Sequence, residues 1–406
     1  MTEKMDTVII GGGQAGLSTS YYLKQQGREH IVLEQAHQAA NAWRERWDSF
    51  TLNTPNWMIK IPGAEYQGNN PDGFLSRENI IAYFEEYIDH FELPVRYGKR
   101  VTGVKPIQSG YLVSCEGAEY EAVNAVVAAG LNQEPRIPAF SANLSPEIFQ
   151  LHSGTYRNEK DLPAGAVLVV GSAQSGAQIA EELYQSGRRV YLSVSSAGRV
   201  PRFYRGKDVT YWLGKIPFFS RTVADLPSPK AKFAANPHVA GGHSLNMHQF
   251  AKDGVVLMGH IQNVKESRIY LNADLTDNLE KADKFEADII IKIDEYILAN
   301  GIQAPVETLP VLRDGYAAPA MSELDLKSAG ITSVIWATGY KYDFDFIKLP
   351  IFDEDGFPVQ ERGVTKLPGL YFVGLPFLHT AASGLLAGVG EDACHITRHM
   401  AQMGVR

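Results

Sequence analysis

The stretch DTVIIGGGQAG, residues 6–16, decides the fold. A short apolar run leads into Gly11-x-Gly13-x-x-Gly16, and helical spacing follows from Gln14 to Gly27. Such a run, stopped by glycines, suits a strand buried on both faces of a parallel sheet. The glycines let the backbone turn tightly and approach a pyrophosphate, while the first N–H groups of the helix face the anion. Residues 30–34 (HIVLE) supply the next strand and end in Glu34, 18 residues past Gly16. A carboxylate there accepts hydrogen bonds from a ribose diol. A lone GxGxxG is weak evidence, but strand, loop, helix, strand and acid in this order read as a dinucleotide-binding unit.

A second unit of the same kind opens about 160 residues downstream. VLVV (167–170) precedes Gly171-x-Ala173-x-x-Gly176, a helix through Ser186, and the strand RVYLSV (189–194). The methyl group of Ala173 narrows the approach to phosphate, although the helix still presents free N–H groups at Gln174 and Ser175. No carboxylate stands where Glu34 stands in the first unit; Ser195 and Ser196 follow the strand, then Arg199, Arg202, Arg205 and Lys207. A missing acid with arginines nearby favours a ribose 2′-phosphate, hence NADPH over NADH; a solvated basic loop is the bland alternative. Two such openings imply two dinucleotides, a resident FAD and an exchanging nicotinamide.

The rest of the chain bounds the function. Its 406 residues, 45% hydrophobic and 21% charged, are enough for two or three domains. A net charge of −8 disfavours nucleic-acid or anionic-membrane partners. Only Cys115 and Cys394 occur, so there is no CxxC pair to carry electrons out of a flavin, and no thiolate metal site is expected. MTEKMD runs straight into the first strand pattern without a signal peptide, and no apolar run of ~18 residues is present, which reads as cytoplasmic. Helical patterns cover 77–91, 273–299 and about 383–403, and residues 201–250 look loop-like and aromatic. The expected architecture is α/β: a Rossmann-like FAD domain (1–158 and 336–406) with an inserted Rossmann-like NADPH domain (159–335) that carries an insertion at about 201–300. The dense aromatics of 203–219 cover a pocket, form a dimer contact or build local core.

Beyond the two loops, FQLHSGTY (149–156), WATGY (336–340) and LYFVGLPFLHTAASGLLAGVGEDA (370–393) carry a resemblance. The chain resembles the class B flavoprotein monooxygenases, similar to the flavin-containing monooxygenases, and most of all a compact bacterial branch labelled as flavoproteins of potassium or heavy-metal transport. The family pattern Phe-x-Gly-x-x-x-His-x-x-x-Tyr is shortened here: Phe149, His152 and Tyr156 remain, but Phe-to-His is three residues shorter and the glycine is absent. The resemblance implies that His152 and Tyr156 lie in a linker coupling NADPH to the flavin. Trp43 and Asn53-Thr54 match a tryptophan and an Asn-Thr pair over the flavin, which makes Asn53 the candidate catalytic residue. On residue type alone it would be a turn asparagine. The same resemblance extends the FAD contacts from Gly11, Gly13, Gln14, Ala15, Gly16 and Glu34 to Gln35, Trp43, Thr54, Val101, Gly130, Gly374 and Leu385. It assigns to NADPH Gly171, Ala173, Gln174, Ser175, Gly176, Ser195, Ser196, Arg199, Arg202, Thr338 and Gly339. The family's usual aspartate after Gly374 is Leu375 here, and the closing helix is expected to begin near Ser383, its N-terminus toward the flavin.

The activity so implied is an NADPH- and oxygen-dependent monooxygenation. A C4a-(hydro)peroxyflavin would pass one oxygen atom to a small soft nucleophile: an amine nitrogen, a sulfide sulfur or an electron-rich carbon such as an indole. Two alternatives stay open, an NADPH oxidase or flavin reductase releasing hydrogen peroxide, and a non-enzymatic nucleotide sensor. Small-molecule substrate and oxygen are the expected partners, and a homodimer stays open.

Overall fold

The computed structural model describes residues 2–403. Strand Thr2–Ile10 pairs in parallel with His30–Leu33 on one side and Ala118–Val127 on the other. Val8, Ile9, Val32, Ala125 and Val126 are all but sealed, which is why these runs are apolar throughout instead of alternating. Ala118–Val127 is also fed by an antiparallel hairpin, Val101–Ile107 and Gly110–Cys115. On its far side lies Leu370–Phe372, again parallel, so the first sheet is built from both ends of the chain. The helices Gln14–Gln25 and Val389–Met403 pack together on this unit.

The second sheet has five parallel strands in the order 256–258, 190–193, 166–170, 331–336, 149–152. Strand Phe149–His152 pairs with Ile331–Trp336, so it belongs to this unit and the division falls ahead of 149, not at 158. Residues 201–250 are not mere loop either. They contain the helices Val209–Lys215 and Met247–Lys252. The first packs on the long helix Leu275–Ala299, whose Ile289, Ile293 and Ile297 recur every four residues and meet Val209, Trp212 and Leu213. Burying each such side chain contributes about 1.5–3 kcal/mol. Trp212 is 2% exposed and donates its indole N–H to the Tyr204 carbonyl (2.7 Å), so the aromatic segment is chiefly local core.

The closing helix starts at Val389, six residues later than its apolar pattern implies. Ser383 instead holds a turn, its hydroxyl accepting from the N–H groups of His379 (3.1 Å) and Thr380 (3.0 Å). Among the described residues, no helix is long and apolar enough to cross a membrane.

Candidate active site

The two glycine loops sit at the carboxyl ends of the parallel strands, where open α/β sheets bind ligands. Gly11 has φ +111°, and a Cβ on it would collide with the Ala128 carbonyl; one on Gly16 would collide with the Gly11 carbonyl. These two glycines serve packing. Gly13 differs, because a Cβ there would meet nothing within 4 Å. It is exposed and stands as N-cap of the Gln14–Gln25 helix without a side-chain cap, so the first helical N–H groups open onto free space. A pyrophosphate fits that cradle. Glu34 closes one side: its carboxylate accepts from the N–H of Gly12 (2.7 Å) and of Ala36 (2.8 Å). Next to it, a cavity of about 490 Å³ is bordered by Gln35, Gln38, Gly98 and Arg100. Gln14 donates to the Gly384 carbonyl (2.8 Å), and Gly374 lies against Ala15, bringing the closing segment and half-buried Leu385 to the same loop. Gly130 (φ +76°) lies just past the end of the neighbouring strand Ala118–Val127, open to a Cβ, while Val101 is half-buried at the start of the hairpin.

The second loop copies the skeleton. Gly171 (φ +101°) abuts the Ala337 carbonyl and Gly176 the Gly171 carbonyl, as Gly11 and Gly16 do in the first. Ala173 is the uncapped N-cap. Where Gly12 faces a carboxylate, Ser172 faces a hydroxyl: its Oγ lies 3.3 Å from Ser195 Oγ and accepts from the Ser195 N–H at 2.9 Å. Ser196 is exposed beside it. Gln174 is committed to Val239, donating to its carbonyl (2.6 Å) and accepting from its N–H (3.2 Å).

The arginines of this unit do not serve as expected. Arg199, 7% exposed, pairs with Glu286 (2.7 Å) and Asp283 of the long helix. Arg202, 1% exposed, pairs with Asp208. Neither presents a free guanidinium to a phosphate. The acids that absorb Arg199 come 84 and 87 residues later, too far for a local reading of charge to find.

Asn53 is tied to the second unit. Its side-chain oxygen accepts from Gln178 (3.1 Å) of the Gln174–Gln185 helix, and its main-chain carbonyl accepts from Arg202 (2.7 Å). Its amide N–H₂ has no protein partner among the described residues. Thr54 is half-buried beside it, and Trp43 packs in an aromatic group with Phe84 (6.4 Å, stacked) and Phe50. The linker binds the units together. His152, 3% exposed, accepts at Nδ1 from the Gly154 N–H (3.1 Å) and donates from Nε2 to the Gly339 carbonyl (3.0 Å). Burial holds its pKa below the usual histidine range, so the ring is a neutral latch onto the WATGY turn. Thr338 next to it bonds the Arg136 carbonyl. Tyr156 donates to Glu182 (2.7 Å), which also takes the hydroxyl of Ser49. Gln178 and Glu182, one helical turn apart, thus hold the 49–53 segment. Both escaped the sequence reading because polar helix positions carry no local signal. So did Arg46, whose buried Nε is unpartnered and whose guanidinium lies 5.7 Å from the centre of the Phe50 ring. Among the described residues, no cluster of His, Cys, Asp and Glu could hold a metal, and both cysteines are free.

With that geometry in hand, known proteins give it context. Residues 8–223 match the model of the pyridine nucleotide-disulphide oxidoreductases. The uncharacterized oxidoreductase CzcO of Bacillus subtilis (strain 168) is 32% identical over 397 residues, 97% of this chain and 99% of its own. The probable indole-3-pyruvate monooxygenase YUCCA3 of Arabidopsis thaliana is 32% identical over 221 residues, about half of each chain. A flavin-containing monooxygenase from Stenotrophomonas maltophilia shares the fold, with a TM-score of 0.68 at 20% identity over 99% of both chains.

Proposed function

The chain belongs to the pyridine nucleotide-disulphide oxidoreductase family, and from that premise we propose that it is an FAD-dependent monooxygenase using NADPH and oxygen on a small soft nucleophile. FAD, once bound, supplies the redox chemistry with oxygen, which leaves the protein the work of binding, orienting and excluding water. In this reading the helix behind Gly13 takes the flavin dinucleotide's pyrophosphate and Glu34 its ribose diol. The helix behind Ala173 takes NADPH, with Ser195 and Ser196 at the 2′-phosphate. Without a free arginine the discrimination against NADH rests on hydroxyls and on the absence of an acid, so a preference of about tenfold is expected, about 1.4 kcal/mol. Asn53, whose amide N–H₂ has no protein partner among the described residues, is the neutral donor that would orient a reacting oxygen without titrating. His152 and Tyr156 hold the two units in register.

The observation that carries this reading is the pair of dinucleotide loops of one skeleton in a chain whose two cysteines are both free. Cys115 is buried in the hairpin and Cys394 lies on the closing helix. The name of the YUCCA3 relative adds indole-bearing α-keto acids to the amines and sulfides worth trying.

One observation favours a second reading, an oxidase that releases hydrogen peroxide. Leu375, 1% exposed, sits in apolar core and offers no side-chain hydrogen bond to a cofactor. One assay separates the two: NADPH consumption, oxygen uptake and peroxide yield with and without an aryl sulfide, a tertiary amine or an indole. Oxygenated product with falling peroxide supports the monooxygenase. Peroxide equal to NADPH with every probe contradicts it.

A further inference from the structure

Arg202 reaches the junction without being open to it. Its Nη1 donates to the main-chain carbonyls of Asn53 (2.7 Å) and Ala240 (3.2 Å), its Nη2 pairs with Asp208, and its plane lies 5.1 Å from the centre of the Phe74 ring. Asp208 in turn caps the Val209–Lys215 helix, accepting from the Thr210 N–H at 2.8 Å. That helix plants Trp212 in the core made with Ile289 and Ile293. A continuous path therefore runs from the core of the inserted segment through Asp208 and Arg202 to the backbone of Asn53. The side chain of Asn53 is held separately, by Gln178. Two fasteners from the second unit thus fix one residue of the first.

The pair is poorly built for stability alone. Arg202 Nε and Asp208 Oδ2 are buried without partners, so the charges are desolvated and incompletely compensated. What the arrangement secures is geometry: a planar guanidinium holds two carbonyls and a carboxylate in a fixed fork, whereas an ammonium is a point charge on a flexible stem.

We propose that Arg202 is a positioning residue, tying the inserted segment to the Asn53 backbone and thereby setting where the Asn53 amide stands. This rests on Asn53 being the amide that works at the reaction centre.

The test uses the flavin-loaded full chain with NADPH and oxygen and no added substrate, comparing wild type, Arg202→Met, Arg202→Lys and Asn53→Ala. The readouts are the rate of NADPH oxidation to peroxide, the KM for NADPH and the NADPH-over-NADH ratio. Arg202→Met should change the substrate-free kcat on the order of tenfold, in the same direction as Asn53→Ala, because a misplacement near 1 Å is costly at a reacting centre. KM for NADPH and the NADPH preference should stay within about twofold, and Arg202→Lys should recover part of the change. A KM for NADPH raised with kcat intact would overturn the proposal and make Arg202 a phosphate ligand. A less stable protein whose folded fraction keeps the wild-type kcat would reduce Arg202 to a structural role. Should Arg202→Met fold poorly, Asp208→Asn, which keeps the arginine and loosens its anchor, should shift kcat in the same direction; no shift would overturn the proposal. If Asn53→Ala changes nothing, the reading of Asn53 fails and the strut with it. If Asn53→Ala acts and Arg202→Met does not, only the strut fails.

Discussion

The two glycine loops share a skeleton and differ at their mouths. Gly11 and Gly16 are locked by backbone carbonyls just as Gly171 and Gly176 are. At the cap, the first loop has Gly13 facing open space and the second has the methyl of Ala173. At the end of the second strand, the first has a carboxylate on Gly12 and the second a hydroxyl pair, Ser172 and Ser195. The locked glycines make the turn; in the proposed reading the mouth decides which dinucleotide enters and how firmly it stays. An open cap with an acid at the ribose suits a resident FAD, and a narrowed cap without an acid suits a nicotinamide that comes and goes.

The strongest way to break this comparison is to damage the shared skeleton in each loop separately. Gly16→Val drives a side chain into the Gly11 carbonyl and should abolish flavin retention, with about 3 kcal/mol or more of stability lost. Gly176→Val makes the equivalent clash and should keep its flavin while NADPH no longer reduces it. Flavin content after gel filtration and anaerobic bleaching by NADPH read the two; flavin lost equally from both would erase the distinction. Giving the second mouth the acid of the first is the next test. Ser195→Glu should lower kcat/KM for NADPH on the order of thirtyfold by charge repulsion, about 2 kcal/mol, and spare NADH.

A smaller effect concerns the shoulder of the second loop. His238 precedes Val239, the partner of Gln174, and is fully buried with both ring nitrogens unpartnered. Burial, aided by the nearby Arg199 charge, pushes its pKa down to about 3. A folded pKa below the unfolded value of about 6.5 costs nothing at higher pH and destabilises progressively as pH falls toward 3. Between pH 6.5 and 5 that loss is about 2 kcal/mol, and His238→Phe should remove it from urea melts at the two pH values. The gentlest change is Ala173→Gly, which reopens the cap and should tighten NADPH binding about threefold, well under 1 kcal/mol, as isothermal titration would show.

How much of this the sequence carries depends on how local the cause is. Strands Thr2–Ile10 and Ala166–Val170 and both helices behind the loops follow from apolar runs ended by glycine, a signal within about a dozen residues. The edge strand Phe149–His152 escapes because its first residues are exposed and its pattern is that of a loop. The closing helix is read as starting too early because Leu385, Leu386 and Ala387 favour a helix, whereas a Cβ on Gly388 would strike Ala382 and the chain turns there instead. Arg199 and Arg202 read as phosphate ligands because the acids that neutralise Arg199 lie on a helix formed much later in the chain, and because the short hairpin that folds Asp208 back onto Arg202, six residues before it, has no pattern of its own. Gln178 and Glu182 carry no sequence signal at all; their roles exist only once the second helix faces residues 49–53, and Gln174, read as an NADPH contact, turns its side chain to Val239 instead.

The claim that the two mouths sort two different dinucleotides is tested most directly by identifying what the purified wild-type chain carries and titrating it without oxygen. One FAD per chain, no bound nicotinamide nucleotide, and full bleaching of the flavin by one equivalent of NADPH is the predicted result. A colourless chain, or one that retains a nicotinamide nucleotide in place of FAD, would contradict it.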